Sequence, residues 1–348
     1  MSRKYLRIIL LSSFLYVGCG KVSPVEIERA EEIEYTADSL MNKESDYLVV
    51  FGDIQEYTFN SSTITLYRHS VDWIRRQILA GVRIGSVLEV GDVTWNNLWT
   101  EWNRFRQVTE PLAELVPYFS CPGNHDYQWD TKYKIQDRST SLINKYAHFP
   151  STDSEIVLYY EDKSLENYIA KLNISYVNFY LISLEFGPRK EVVEWADKYV
   201  ESHPEDRFIL MTHEWLSDYG ERVGEDSGAE LQIRGSSFSS PEDLWQQLVK
   251  PNNNIICVLC GHNGFFAKIN SKNDAGRTVP QILFNLQYQD NCGNGLVQIW
   301  EFPALTDSIK IGTYSTLESD WYMKESTSFS FSMNDYDPAM DGEAHWKY

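Results

Sequence analysis

Positive charge is in short supply in this 348-residue chain: 31 Lys and Arg stand against 50 Asp and Glu, for a formal charge of −19. So acidic a surface repels phosphate backbones, which excludes nucleic acid as a bulk partner and makes divalent cations the more natural guests. Much of that charge is also plain solvated surface. Cysteine is scarce too, with five residues in all. Cys19 aside, Cys121, Cys257, Cys260 and Cys292 would allow two disulfides. Cys257 and Cys260, however, lie three apart in an apolar strand-like run and so point to opposite faces, a poor geometry for a mutual bridge or a zinc pair. Buried free thiols are expected instead. No internal repeat is visible, and the N-terminal apolar run from Ile8 to Val17 is too short to cross a bilayer as a stable helix. What the chain does have is 43% hydrophobic and 14% aromatic residues, enough for a sizeable core and too much for a disordered chain.

The first residues, "MSRKYLRIILLSSFLYVGCGK", place Arg3, Lys4 and Arg7 before the apolar run and Gly18-Cys19 after it. A basic start, a short apolar core and small residues at the cut describe a secretory signal peptide over residues 1–18. The Cys directly after a small residue resembles a bacterial lipoprotein signal, in which that residue is lipidated and becomes the mature N-terminus. Leu15 stands four residues before Cys19, where that pattern prefers three. The resemblance implies an exported lipoprotein anchored to a membrane through Cys19, in the outer membrane facing the periplasm or on the cell surface. An ordinary cleaved signal with an incidental Cys is the alternative. Residues 19–45 are acidic, lack a clear apolar period, and are expected to act as a tether.

From residue 46 the pattern becomes that of a folded domain. "YLVVFGDIQ" (47–55) is a continuous apolar run suited to a strand buried on both faces. An amphipathic helix follows, with Leu66, Val71, Ile74, Ile78 and Leu79 on one side and Gly81 as its stop. Strand-like "GSVLEVGDV", helical "NNLWTEWNRFRQVTEPLAEL" and strand-like "VPYFSCPGNHD" continue a β-α-β-α-β rhythm that predicts a parallel core sheet. The Tyr-, Val- and Ile-rich stretch 155–186 reads as hairpin strands ending in a core strand. A helix is expected from Lys190 to Glu201, then strands "RFILMTHEW" and "NIICVLCGHN" with helical "PEDLWQQLV" between them. The segments from Phe265 to residue 315 read as one antiparallel run. Residues 316–348 form an acidic, aromatic tail with no assignment. One α/β domain with two packed sheets fits this pattern better than two independent domains.

The chemistry sits at the strand ends: Asp53-Ile54-Gln55, Gly91-Asp92, Gly123-Asn124-His125-Asp126, Thr212-His213 and Gly261-His262. In open α/β sheets ligands bind at the carboxyl ends of strands, so residues distant in sequence are expected to converge. Asp, Asn and His together are a ligand set for Zn²⁺, Mn²⁺ or Fe²⁺. Singly, each signal has an ordinary structural explanation: Gly-Asp after a strand is a common turn, and a lone His213 could be a satisfied core residue. Three of the chain's seven His falling together at strand ends argues for a metal site.

The order D-x-Q, G-D, G-N-H-D, H and G-H resembles the calcineurin-like metallophosphoesterase superfamily over roughly residues 47–315. The resemblance implies an α/β fold of four layers, an α/β/β/α sandwich of the metallo-dependent phosphatase type. It also implies a dinuclear centre that hydrolyses phosphoric mono- or diesters with a metal-bound hydroxide, the two ions ~3.5–4 Å apart. Under it Asp92 would bridge the ions, and Asn124, His213 and His262 would complete the second position. Asp53 and Gln55 would hold the first, and two residues apart in extended chain both could face one site. His125 would contact the phosphoryl oxygens or protonate the leaving oxygen, with Asp126 orienting its imidazole. Divalent ions (Mn, Fe, Zn, Mg or Ca) and a small phosphorylated substrate are the implied cofactors and partner.

Two departures affect the first metal position. The family usually has His where Gln55 and Gly264 stand, so this position is weakened and more oxygen-rich, which favours Mg²⁺, Mn²⁺ or Ca²⁺ over Zn²⁺. Gln55 reads equally as a weak ligand or as a hydrogen-bonding neighbour. A segment like "ILFNLQ" in some subfamilies suggests that Gln287 or Gln289 reaches the pocket. A non-catalytic or single-metal ligand-binding module on the same fold is the alternative function. Trp95, Trp99, Trp102, Tyr127 and Trp129 could build a platform for a substrate group, but the helical spacing of the first three predicts core packing. Cys121 is expected to pack, and Arg138 and Arg189 are candidate phosphate contacts by neighbourhood alone.

Overall fold

A computed structural model of the chain describes residues 41–131, 135–175, 177–224, 238–285, 287–304, 306–322 and 327–333. The expected signal peptide, Cys19 and most of the tether lie outside the described residues. Among the described residues, no helix is long and apolar enough to cross a membrane.

Two seven-stranded sheets form the domain. The first joins β1 (Asp46–Phe51), β2 (Arg83–Glu89) and β3 (Tyr118–Ser120) in parallel. On its other side β13 (Leu296–Phe302) pairs antiparallel with β1, and β14 (Ser308–Ser315) pairs antiparallel with β13. Short strands β15 (Asp320–Trp321) and β16 (Phe329–Ser332) pair with β14, so the sheet continues past residue 315, where an unassigned tail was expected. The second sheet has β8 (Phe179–Leu184), β9 (Arg207–Thr212), β10 (Ile255–Cys260) and β12 (Thr278–Phe284) in parallel. Antiparallel β7 (Tyr168–Leu172) and β6 (Ile156–Tyr159) close one edge, and β11 (Phe266–Lys272) closes the other. A two-stranded hairpin, β4 (Gln128–Asp130) with β5 (Ile135–Asp137), follows the third motif loop.

The layering follows from the two-residue period of a strand. In β9, Ile209 and Met211 join the core shared with β1, β2 and β13, while Phe208 and Leu210 join the core that holds Val192, Val193, Ala196 and Val200 of the Lys190–Glu201 helix. The helices Ile64–Leu79 and Trp99–Ala113 bury Tyr67, Val71 and Ile74, and Trp102, Phe105 and Leu112, on the outer face of the first sheet. The order is helix, sheet, sheet, helix. Strands β1 and β10 are buried at every residue, as expected of strands covered on both faces. Cys257 and Cys260 fall in different cores, both buried and free, and Cys121 is buried and free as well.

Two expectations are corrected by this topology. The last strands are no single antiparallel run: β12 lies parallel to β10 in the second sheet, while β13 and β14 belong to the first. Sequence adjacency does not reveal this because β12 to β13 crosses from one sheet to the other. Nor is Gln55 in extended chain. Ile54 turns at φ −107°, ψ 7°, and Gln55 begins a short helix, Gln55–Thr58.

Candidate metal centre

All five motif loops leave the carboxyl ends of parallel strands: β1, β2 and β3 in one sheet, β9 and β10 in the other. Backbone conformation shows how tightly two of them are held. Asp92 (φ 57°) and His262 (φ 71°) both adopt the left-handed region, at a cost of roughly 1–3 kcal/mol each. The surroundings that compensate are visible. Asp126, fully buried, accepts from the backbone N–H of Gly123 (3.0 Å), Val93 (3.1 Å) and Thr94 (2.9 Å) and from the Thr94 hydroxyl (2.9 Å). It thereby ties the third loop to the second just after Asp92. Asp53 does the same for the fifth loop, its two oxygens accepting from His262 N–H at 3.2 and 3.1 Å. Gly123 is required by closeness: a Cβ there would lie 2.2 Å from the Asp92 backbone nitrogen and Oδ1.

The convergence itself centres on His213, which is fully buried. Its Nδ1 lies 2.8 Å from the Val90 carbonyl. A carbonyl can only accept, so Nδ1 carries the proton and Nε2 is the nitrogen turned inward. Facing Nε2 are Asn124 Oδ1 at 3.2 Å and Asp92 Oδ2 at 3.2 Å. Two acceptor oxygens and a nitrogen lone pair repel one another unless a proton or a cation lies among them. In its absence a proton does: burial works against the charged imidazole, but Asp92 and Asp53 outweigh it and push His213 up to about 10. For Asp92, burial opposes the charged form, yet His213 and His125 hold the carboxyl well below its usual range. His262, whose ring is 5.0 Å from that of His213, is pushed down to about 4 by burial and by the His213 charge.

These residues fit a divalent ion. Ligand atoms each ~2.0–2.2 Å from one ion stand ~3.0–3.5 Å apart, the separation at which His213 Nε2 meets Asp92 and Asn124. Donor atoms of Asp92, His213 and His262 all lie within 4.8 Å of one another. Since the ion must take the lone pair that His213 uses for its proton, metal binding at pH 7 is expected to release about one proton per ion. Apparent affinity should then rise about tenfold per pH unit up to about pH 10. Calorimetric titration with Mn²⁺ in buffers of different ionisation enthalpy measures this; a heat independent of buffer would contradict it.

The other expected residues are placed as follows. His125 donates its backbone N–H to Asp92 Oδ1 at 2.8 Å and its ring is only partly buried. Asp126 does not touch the His125 imidazole; its oxygens are taken by the loop amides. The Trp95 carbonyl, 2.7 Å from His125 Nδ1, orients the ring instead, and the Trp95 indole stacks on it at 4.9 Å. The three Trp residues therefore have three roles: Trp102 is buried, Trp99 is 61% exposed, and Trp95 precedes the helix altogether. Their common spacing hid this because the helix begins only at Trp99.

Around the first metal position, fully buried Gln55 donates through Nε2 to Asp92 Oδ2 (3.2 Å) and to Gln287 Oε1 (2.7 Å), and Gln287 Nε2 lies 3.4 Å from Asp53 Oδ2. Of the two glutamines suggested by sequence, Gln287 therefore reaches the pocket. Burial, with Asp92 adding to it, pushes the Asp53 carboxyl well above its usual range despite His213. Gly264 sits at φ 52°, and a Cβ there would come within 3.0 Å of Asp218 Oδ1, so this turn is built for glycine. Arg138 and Arg189 are not free for phosphate. Their Nε atoms lie 3.5 and 2.8 Å from the buried carboxylate of Glu185, and Arg189 also reaches Glu161 at 3.0 Å.

Two further buried acids, Glu214 and Glu89, stand near the centre outside the five motifs. Glu214 Oε1 is 3.7 Å from His262 Nε2, and its only signal is adjacency to His213. Glu89, at the end of β2, accepts from Gly91 N–H at 3.0 Å. Burial, reinforced by Asp126 and Asp53, raises its carboxyl well above the usual range. A charged residue inside the apolar run "SVLEV" was the available clue.

A family model described as calcineurin-like phosphoesterase matches residues 46–264. The uncharacterized protein YvnB of Bacillus subtilis (strain 168) is 24% identical over 289 residues, 78% of this chain and 20% of that protein. "Probable inactive purple acid phosphatase 9" of Arabidopsis thaliana is 35% identical over 86 residues, 23% of this chain and 13% of that one. The chain thus matches a fifth or less of the length of these curated relatives. A conserved uncharacterized protein of Streptococcus pneumoniae TIGR4 has a solved structure that superposes with a TM-score of 0.35 at 12% identity, over 83% of this chain and 98% of that one.

Proposed function

We propose that this chain, which belongs to the calcineurin-like phosphoesterase family, is a metal-dependent hydrolase of phosphoric mono- or diesters. The observation that carries the reading is the meeting of Asp92 Oδ2, Asn124 Oδ1 and His213 Nε2 at 3.2 Å spacings, with His262 beside them. A divalent ion held by these four residues would supply Lewis acidity toward a phosphoryl oxygen and lower the pKa of a water. The chain's own residues supply the rest. His125, with Nδ1–H fixed on the Trp95 carbonyl, keeps Nε2 free to hold a proton for a phosphoryl or leaving-group oxygen. Asp126 and Asp53 hold the two strained loops that present Asp92 and His262. The acidic surface suits a small phosphorylated substrate rather than nucleic acid.

Parallel assays with p-nitrophenyl phosphate and bis-p-nitrophenyl phosphate, each with added Mn²⁺, Zn²⁺, Mg²⁺ or Ca²⁺, test the reading. Turnover of either ester is expected with at least one ion; none with any ion would refute it. A second reading, a non-catalytic binding module, draws on the amide N–H groups that face Asp92 and Asp53, and would give metal binding without turnover.

We further propose export and lipid anchoring through Cys19, from the basic start, apolar run and Gly18-Cys19 of the N-terminus. Cells expressing the chain should incorporate labelled palmitate into it, and Cys19→Ser should abolish the label. An unlabelled wild-type chain would rule the anchor out.

A further inference from the structure

We propose that the centre holds one metal ion rather than two, because the amides of Gln55 and Gln287 stand in place of the other. The inference rests on the hydrolase reading above and concerns how that site is built.

Among the described residues, the group of His, Cys, Asp and Glu side chains that could share an ion is Asp92, His213 and His262. Asp53 is not part of it. On the Asp53 side of Asp92, the oxygens that would have to face a second cation are Asp92 Oδ2 and Asp53 Oδ2. Each is met by an amide N–H: Gln55 Nε2 at 3.2 Å from Asp92 and Gln287 Nε2 at 3.4 Å from Asp53. An N–H hydrogen carries partial positive charge, so these donors do for the two carboxylates what a cation would do.

The two amides also fix each other. Gln55 Nε2 donates to Gln287 Oε1 at 2.7 Å, and the backbone N–H of Gln287 donates to Asn285 Oδ1 at 3.0 Å. Asn285 in turn donates to the His262 carbonyl at 2.9 Å, so the chain of bonds runs back to a residue of the position proposed to hold the ion. Turning the Gln55 amide over would place its oxygen against Asp92 Oδ2 and Gln287 Oε1, acceptor on acceptor. Gln55 is wholly buried, so no solvent relieves that contact. Its Oε1 has no hydrogen-bond partner in this orientation, so one unmet acceptor accompanies the donor that Nε2 gives to Asp92. Asp53 is further committed to the His262 backbone by both oxygens.

The test is the number of ions bound. Purified full-length protein is dialysed against Mn²⁺, and manganese per chain is measured by mass spectrometry, with the electron paramagnetic resonance spectrum recorded alongside. One ion per chain, with the hyperfine pattern of an isolated Mn²⁺, is expected. Two ions with the spectrum of an exchange-coupled pair would overturn the inference and leave the hydrolase reading intact. No ion at all would overturn both. Gln55→Glu is nearly isosteric, removes the donor and adds a carboxylate, so it should raise the count to two per chain. A folded Gln55→Glu protein that still binds one ion would overturn the assignment of the block to Gln55.

Discussion

Asp92→Asn leaves the purified protein without a bound ion and with hydrolysis lowered by the same cause. Asp92 is the residue on which the others depend: Oδ1 accepts from His125 N–H at 2.8 Å, and Oδ2 faces His213 Nε2 and Gln55 Nε2, both at 3.2 Å. Asn is the substitution that isolates its chemistry, because Asn tolerates the left-handed conformation that Asp92 adopts at φ 57°. If the new carbonyl keeps the His125 bond, the amide nitrogen faces Gln55 Nε2 donor toward donor and offers no lone pair to an ion beside His213. The charge that draws an ion to His213 is then gone. Losing even an outer partner of a metal ligand costs ~10–100-fold in affinity, so the loss here is at least about 100-fold. Turnover at sub-saturating metal should fall by at least that factor. Metal content after dialysis and the rate of p-nitrophenolate release check it, with a melting curve to establish folding. A folded Asp92→Asn protein that retains its ion would contradict the account.

His125→Ala should act differently, with metal content unchanged. The contact that His125 makes with Asp92 is a backbone N–H, which Ala keeps. What is lost is a proton carrier whose ring is clamped by the Trp95 carbonyl at 2.7 Å and the Trp95 indole at 4.9 Å. Positioned acid–base groups contribute ~10²–10⁴-fold, and that loss is expected for esters of alkyl alcohols, which need a proton on the leaving oxygen. For p-nitrophenyl esters the loss should be far smaller, since p-nitrophenolate departs without one. An equal loss for both substrate types would assign His125 to phosphoryl binding rather than to proton donation.

Much of the site could be read from the sequence because its residues follow strands that announce themselves. The apolar runs before Asp53, Asp92, His213 and His262 are buried on both faces, and such strands leave little doubt about where they end. The Lys190–Glu201 helix has the bounds its pattern predicts. The less legible features are those set by contacts distant in sequence. Asp126 looks like a partner for the adjacent His125, but its oxygens are claimed by amides of residues 93 and 94, more than thirty positions away. Nothing local marks β13 as the neighbour of β1, since that pairing joins residues some 250 apart. The three Trp residues share a spacing but not a helix, and Arg138 and Arg189 are neutralised by a buried Glu185 that no motif contains. Hydrogen-bond partners, unlike hydrophobic period, carry no sequence signature.

Anomalous diffraction from crystals grown with Mn²⁺ tests the site most directly. A manganese peak is expected within bonding distance of Asp92 Oδ2, Asn124 Oδ1, His213 Nε2 and the His262 ring. Crystals that diffract well under saturating Mn²⁺ yet show no peak among those four residues would contradict the metal site.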